Sequence, residues 1–193
     1  MSRDCKEPEE EYEYIKVIHN EIYFYCDVDS DSVLELNIAL RKLERELRIK
    51  KMEMGDYEKP TIKVFIQSDG GELYAGLSAM DHLKSSKCNI VTIADGCCAS
   101  AAAMMLLGGH KRLIKPNAYV LIHQLGTDAG WGKYEDLKDE MENCNKLMAH
   151  MKEIVSERTN LPEKKVNRIM KHDIMMSADK CIKYGVVDAY FDS

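Results

Sequence analysis

The sequence predicts an α/β fold built on a mainly parallel sheet with right-handed helical crossovers, and two observations carry that expectation. Short apolar runs rich in β-branched and aromatic residues alternate with segments whose apolar residues recur every three or four positions, the pattern of successive βαβ units. Glycine-bearing turns follow two of these runs, at Ser68-Asp69-Gly70-Gly71 and from Gly96 onward. In open α/β sheets, sites gather outside the carboxyl ends of the strands.

Taken in order, residues 1–13 hold six acids and Pro8 and read as the start of an acidic N-terminal arm, set at 1–18, before one domain at 19–193. Glu21 to Cys26 (EIYFYC) reads as a strand. Ser32 opens a helix with Glu35 as its capping-box partner. Val33, Leu36, Leu40, Leu43 and Leu47 give that helix one apolar face. Arg48 to Pro60 is charged, contains Gly55, and reads as a surface loop. Thr61 to Gln67 (TIKVFIQ) is a buried strand, and Leu73 to Lys84 an amphipathic helix. Asn89 to Ala94 (NIVTIA) is a further strand, after which a turn from Gly96 enters a helix of small residues. Tyr119 to His123 (YVLIH) is a short apolar strand, and Gly126, Gly130 and Gly132 make the next stretch flexible. Lys133 to Thr159 is a long helix with Leu137, Met141, Leu147, Met151 and Val155 on its apolar side. Pro162 opens another helix as its first residue. Ser177 to Tyr184 is a short helix stopped by Gly185, and Val186 to Ala189 a closing strand.

Composition narrows the functions. A chain of 193 residues, 45% hydrophobic and 31% charged, is an ordinary globular domain. Its net charge of −6 argues against a general binder of nucleic-acid backbones, which needs a basic excess. No apolar run approaches the roughly 18 residues of a membrane span. The acidic N-terminus has no signal-peptide core, which places the protein in the cytoplasm. Seven cysteines, an odd number without a C-x-x-C pair, signal neither a disulfide framework nor a zinc ribbon.

Three residues could carry chemistry. Ser100 sits at a strand-to-helix transition among Ala99, Ala101 and Ala102, where small neighbours let a substrate carbonyl approach. This parallels the nucleophile elbow, although G-x-S-x-G is absent; a simple helix cap is the other reading. A serine needs a base. His123 ends an apolar strand that would fix its ring, or is a core histidine satisfied by its neighbours. Asp173 enters an apolar run between two helices as the orienting carboxylate, or is a solvated linker acid, or the partner of Lys171. His172 is the rival base.

The segments SDGG (68–71), GCCAS (96–100), YVLIHQ (119–124) and DIMMSADKCIKYGVVD (173–188) together resemble the proteolytic subunit of the Clp protease, in that family's order and spacing from Glu21 to Tyr190. The resemblance implies a ClpP/crotonase-like fold, a repeated ββα superhelix with a protruding helical handle at about 126–160. It implies a self-compartmentalised serine endopeptidase that degrades unfolded polypeptides delivered by an AAA+ unfoldase. Ser100, His123 and Asp173 take the places of the catalytic serine, histidine and aspartate, while Gly71 and the backbone N–H of Ala101 take those of the oxyanion hole. It further implies heptameric rings stacked as a double ring, with no metal or cofactor; ATP would be used only by the partner ATPase, since no phosphate-binding G-x-x-x-x-G-K-[ST] loop is present. Nucleic acid and membrane are not expected partners. Asp69 and Leu125 stand where the family usually has proline, Ala101-Ala102 replaces a usual Met-Gly pair, and residues 48–60 look inserted. These departures suit a viral or organellar member. Three alternatives stay open: a viral maturation protease of the same family, a non-catalytic subunit of a mixed ring, and an acyl-CoA enzyme on the related crotonase-type fold.

Overall fold

The computed structural model describes residues 15–127 and 132–192. Residues 1–14, with Cys5 and most of the acidic arm, lie outside the described residues, as does Gly130. Two strands open the fold as a hairpin: β1 (Ile15–Ile18) pairs antiparallel with β2 (Glu21–Phe24). The arm therefore does not reach residue 18. Residues 15–18 instead pair with β2, and Ile15 is buried.

Helix α1 (Ser30–Glu53) begins two residues before Ser32. Its N-cap is Asp29, whose carboxylate accepts from the Ser32 N–H at 2.7 Å while the Ser32 hydroxyl accepts from the Asp29 N–H at 3.0 Å. The capping box is thus Asp29–Ser32, not Ser32–Glu35. The helix also runs on through Arg48 to Glu53, where a loop was expected, because Arg, Lys, Glu and Met are good helix formers. It stops just before Gly55, which takes φ +71°.

The sheet then runs in parallel through β3 (Thr61–Ser68), β4 (Asn89–Ala99) and β5 (Lys111–Ile114), with α2 (Leu73–Lys84) crossing between β3 and β4 and α3 (Ala101–Leu107) between β4 and β5. Strand β4 outlasts its expected end at Ala94, because Gly96, at φ +82°, lies within the strand rather than ending it. After β6 (Tyr119–Leu121) come α4 (Tyr134–Arg158), α5 (Glu163–Ile169), β7 (Met176–Ser177), α6 (Ala178–Lys183) and β8 (Ala189–Tyr190). Pro162 is the N-cap of α5 rather than its first residue, and the closing strand starts at Ala189, not Val186.

The strand order is β1-β2-β3-β4-β5-β8, with β6 and β7 branching from β4. Side chains alternate across this sheet with period two. Ile62, Val64 and Ile66 face a large core shared with α1, α2 and α3, whereas Phe65, Ile93 and Leu113 form a small second cluster on the other face, against Tyr23 and Phe191. Helix α3 is buried at all seven residues. Among the described residues, no helix is long and apolar enough to cross a membrane.

Candidate active site

The branching of β4 brings the site together. Its first half pairs with β5, from Val91↔Lys111 to Ala94↔Ile114. Its last residues pair instead with β6, from Cys97↔Tyr119 to Ala99↔Leu121. Two parallel strands therefore end side by side, with Ser100 just beyond one and Ile122-His123 just beyond the other. Strand β7 runs antiparallel to β6, with Tyr119↔Ser177 and Val120↔Met176. Continued by three residues, that register sets Asp173 opposite His123. On the far side of β4, Ser68 pairs with Cys98, which aligns the Gly70-Gly71 turn with Ser100.

Ser100 has φ 56° and ψ −122°, a conformation L-residues avoid, at a cost of about 1–3 kcal/mol. It is held there by the Ser100 N–H donating to Leu121 O at 2.9 Å and the Ala103 N–H donating to Ser100 O at 3.0 Å. Ser100 stands at the N-cap of α3, but its side chain makes no capping bond. Its Oγ lies 2.9 Å from His123 Nε2, and His123 Nδ1 lies 2.8 Å from Asp173 Oδ1. A carboxylate only accepts, so Nδ1 carries the ring hydrogen and Nε2 is left to accept from the serine hydroxyl. The His123 side chain is 27% exposed and that of Asp173 74%, so the carboxylate meets solvent while the imidazole is largely sheltered. His172, the rival base, lies on the exposed turn after α5, and among the described residues its ring makes no hydrogen bond to this group.

The Gly70-Gly71 turn closes the other side. A Cβ on Gly70 would lie 2.6 Å from Ser100 Cβ, and one on Gly71 would lie 2.2 Å from Val28 O. Both glycines also take positive φ, +105° and +144°, so only glycine fits this approach. The turn is stitched to residue 28 by the Val28 N–H donating to Gly70 O at 2.8 Å and the Glu72 N–H donating to Val28 O at 2.7 Å. Ala101 is the first residue of α3, so its N–H has no intrahelical acceptor.

Ser100, His123, Gly71 and Ala101 border one open groove of about 840 Å³, with Val28, Leu73, Leu125 and Met151 as apolar lining and Asp27, Asp29, Asp69 and Glu72 as carboxylates. Residues 27–29 and Met151 carry no motif, and only the tertiary pairing of residue 28 with the glycine turn places the former here. Beyond His123, the Leu125 N–H donates to Met148 Sδ at 3.2 Å, tying this segment to α4.

The cysteines stand apart. Burial pushes the Cys98 thiol up, and burial followed by the neighbouring Asp69 pushes Cys97 up to about 11, so neither is an activated thiolate. Among the described residues, no three His, Cys, Asp or Glu side chains converge as a metal site.

A hydroxyl, an imidazole and a carboxylate in a row, at the carboxyl ends of parallel strands and beside two backbone N–H groups, form an arrangement able to carry out nucleophilic acyl transfer. The comparisons narrow that class. The sequence model of the Clp protease family matches residues 30–193, and the chain belongs to that family. It is similar to the ATP-dependent Clp protease proteolytic subunit of Deinococcus radiodurans, with 34% identity over 133 residues that cover 68% of this chain and 65% of that protein. The chain thus spans slightly less than two thirds of that relative. In fold it is similar to a variant of ClpP1 from Listeria monocytogenes, with a TM-score of 0.76 at 21% identity, covering 91% of this chain and 92% of that one.

Proposed function

We propose that this protein is a serine endopeptidase in which Ser100, His123 and Asp173 act as nucleophile, general base and orienting acid. The observation that carries this is the unbroken pair of hydrogen bonds from Ser100 Oγ through His123 to Asp173, 2.9 and 2.8 Å long, on a serine held at positive φ. Ser100 Oγ attacks the scissile carbonyl carbon as its proton passes to His123 Nε2. Asp173 holds the ring by Nδ1 and supports the imidazolium. The oxyanion accepts from the N–H groups of Gly71 and Ala101, donors worth about 3–4 kcal/mol each in such sites. His123 then gives its proton to the leaving amine, which departs and leaves Ser100 acylated. Water, deprotonated by the same nitrogen, hydrolyses the ester and restores the serine.

The wider reading is a self-compartmentalised protease of the cytoplasm, assembled as rings and supplied with unfolded polypeptides by an AAA+ unfoldase that spends the ATP. Supporting assembly, α4 leaves Leu137 42% and Met141 63% exposed, apolar surface left open among the described residues.

A fluorophosphonate should label Ser100 and no other serine, read by intact mass and peptide mapping. His123→Ala should abolish labelling and peptide hydrolysis, a loss of about 10⁴-fold or more, while His172→Ala keeps most of both. The opposite pattern would unseat His123 as the base.

A further inference from the structure

The groove around Ser100 has a charge that the proposed chemistry does not use. Asp27, Asp29, Asp69 and Glu72 border it, and no lysine or arginine does. None of the four forms an ion pair among the described residues. Two of them bracket the glycine turn itself. Asp69 precedes Gly70, and the neighbouring Cys97 stays a neutral thiol that offers no counter-charge. Glu72 follows Gly71 and stands at the N-cap of α2 without capping it; the Ser30 hydroxyl donates to its Oε2 at 3.1 Å.

Apart from Ser100, His123 and the glycine turn, the remaining walls are apolar, through Val28, Leu73, Leu125 and Met151. A groove with aliphatic walls and carboxylates at its edge suits a side chain with a long hydrocarbon stem and a cationic head, which is the chemistry of lysine and arginine. The carboxylates also oppose the reaction on a neutral substrate, because they set negative charge beside the place where the oxyanion forms. A cation bound against Asp69 and Glu72 offsets that repulsion as the transition state is reached.

We propose that the groove selects polypeptide segments carrying lysine or arginine next to the cleaved bond, with Asp69 and Glu72 as the discriminating residues. This rests on Ser100 being the nucleophile.

The test uses three peptides of one sequence that differ only in a lysine, methionine or glutamate beside the scissile bond. At low salt, kcat/KM for the lysine peptide should exceed that for the glutamate peptide by about ten-fold or more. The ratio should fall toward one in the double variant Asp69→Asn with Glu72→Gln, which keeps the shape and the hydrogen-bond acceptors, and it should shrink in high salt. Binding to the Ser100→Ala protein, followed by fluorescence anisotropy, should rank the peptides in the same order. Equal rates and equal binding, with Ser100 still labelled by an uncharged phosphonate, overturn the charge selection and leave the protease reading intact. If Ser100 is not labelled and no peptide is cleaved, the protease reading fails, and the anisotropy ranking alone decides whether the groove selects cations.

Discussion

Helices α3 and α4 bury their surfaces in opposite ways. Helix α3 has seven residues, Ala101 to Leu107, and all seven are buried. Helix α4 has 25 residues, of which only Met151, Ile154 and Val155 are buried, all in its last turns. A helix apolar all round belongs inside a core and resists rearrangement, which suits the base on which Ser100 is mounted. A long helix with an apolar stripe over open solvent suits the assembly proposed above. Hydrogen bonds join the two through Arg158, the last residue of α4, which donates from Nε to Leu107 O at 2.9 Å and from Nη2 to Gly109 O at 2.6 Å. These are carbonyls at the C-terminal end of α3, where helices leave acceptors unsatisfied and favour a cation.

The contrast is broken most sharply by substitution in each helix. Leu106→Ala opens a cavity where nothing collapses easily and should cost about 2–5 kcal/mol in chemical denaturation. Leu137→Asp with Met141→Asp should leave the far-UV circular dichroism of the chain unchanged and shift its sedimentation to smaller species. Both positions are exposed, and exposed substitutions usually move stability by about 0.5 kcal/mol or less. If the double aspartate unfolds the chain instead, α4 is covered by its own domain and the contrast collapses. Met151 does not serve for this test. The sequence groups it with Leu147 on one stripe, but it is 5% exposed against its own domain, so an acid there would damage the fold itself.

The link between the helices is the next target. Arg158→Met keeps much of the aliphatic bulk but leaves the Leu107 and Gly109 carbonyls without their donors, and unsatisfied buried acceptors cost about 1–3 kcal/mol. Hydrogen exchange should rise at the C-terminal end of α3 and in the last turn of α4 more than in α2. A uniform rise would mean that Arg158 acts on global stability alone.

The legible parts of the fold were those with strong local signals. Helix α2 has an apolar period and clear turns at both ends, and Leu73 to Lys84 matches at both bounds. The strand-to-helix turn at Ser100 was legible from the small residues around it. Strand β5 was not, because Lys111 to Ile114 is only four residues long, starts with two cations, and is fixed by pairing with β4 rather than by its own pattern. The charged end of α1 reads as a loop in the sequence because charge alone does not separate a solvated helix from a loop. Within the candidate site, His123 and Asp173 could be nominated singly, but their meeting depends on the β6–β7 register, which pairs residues more than fifty positions apart. Asp27 and Asp29 had no signal at all as groove residues, since their place depends on residue 28 lying beside Gly71.

Helix starts offer the smallest comparison. Helix α3 has no side-chain cap because its N-cap serine is turned toward His123, and α4 has none at Lys133. Helix α1 is capped by Asp29, whose carboxyl is held below its ordinary range, first by the Ser32 backbone N–H and then by the Ser32 side chain. A depressed carboxyl pKa means that the folded state favours the ionised form. The stabilisation is therefore complete above the unfolded value of about 4 and is lost as pH falls through the lower folded value. Asp29→Asn keeps an oxygen acceptor at the cap but removes the charge that the first turn of the helix favours. Urea midpoints of the two proteins should differ slightly at pH 7, with the natural protein the more stable, and the gap should close as pH drops below about 4. A gap that stays constant down to pH 3 would assign the effect to shape rather than charge. A gap that widens on acidification would reverse the sign and show that the ionised cap opposes the fold.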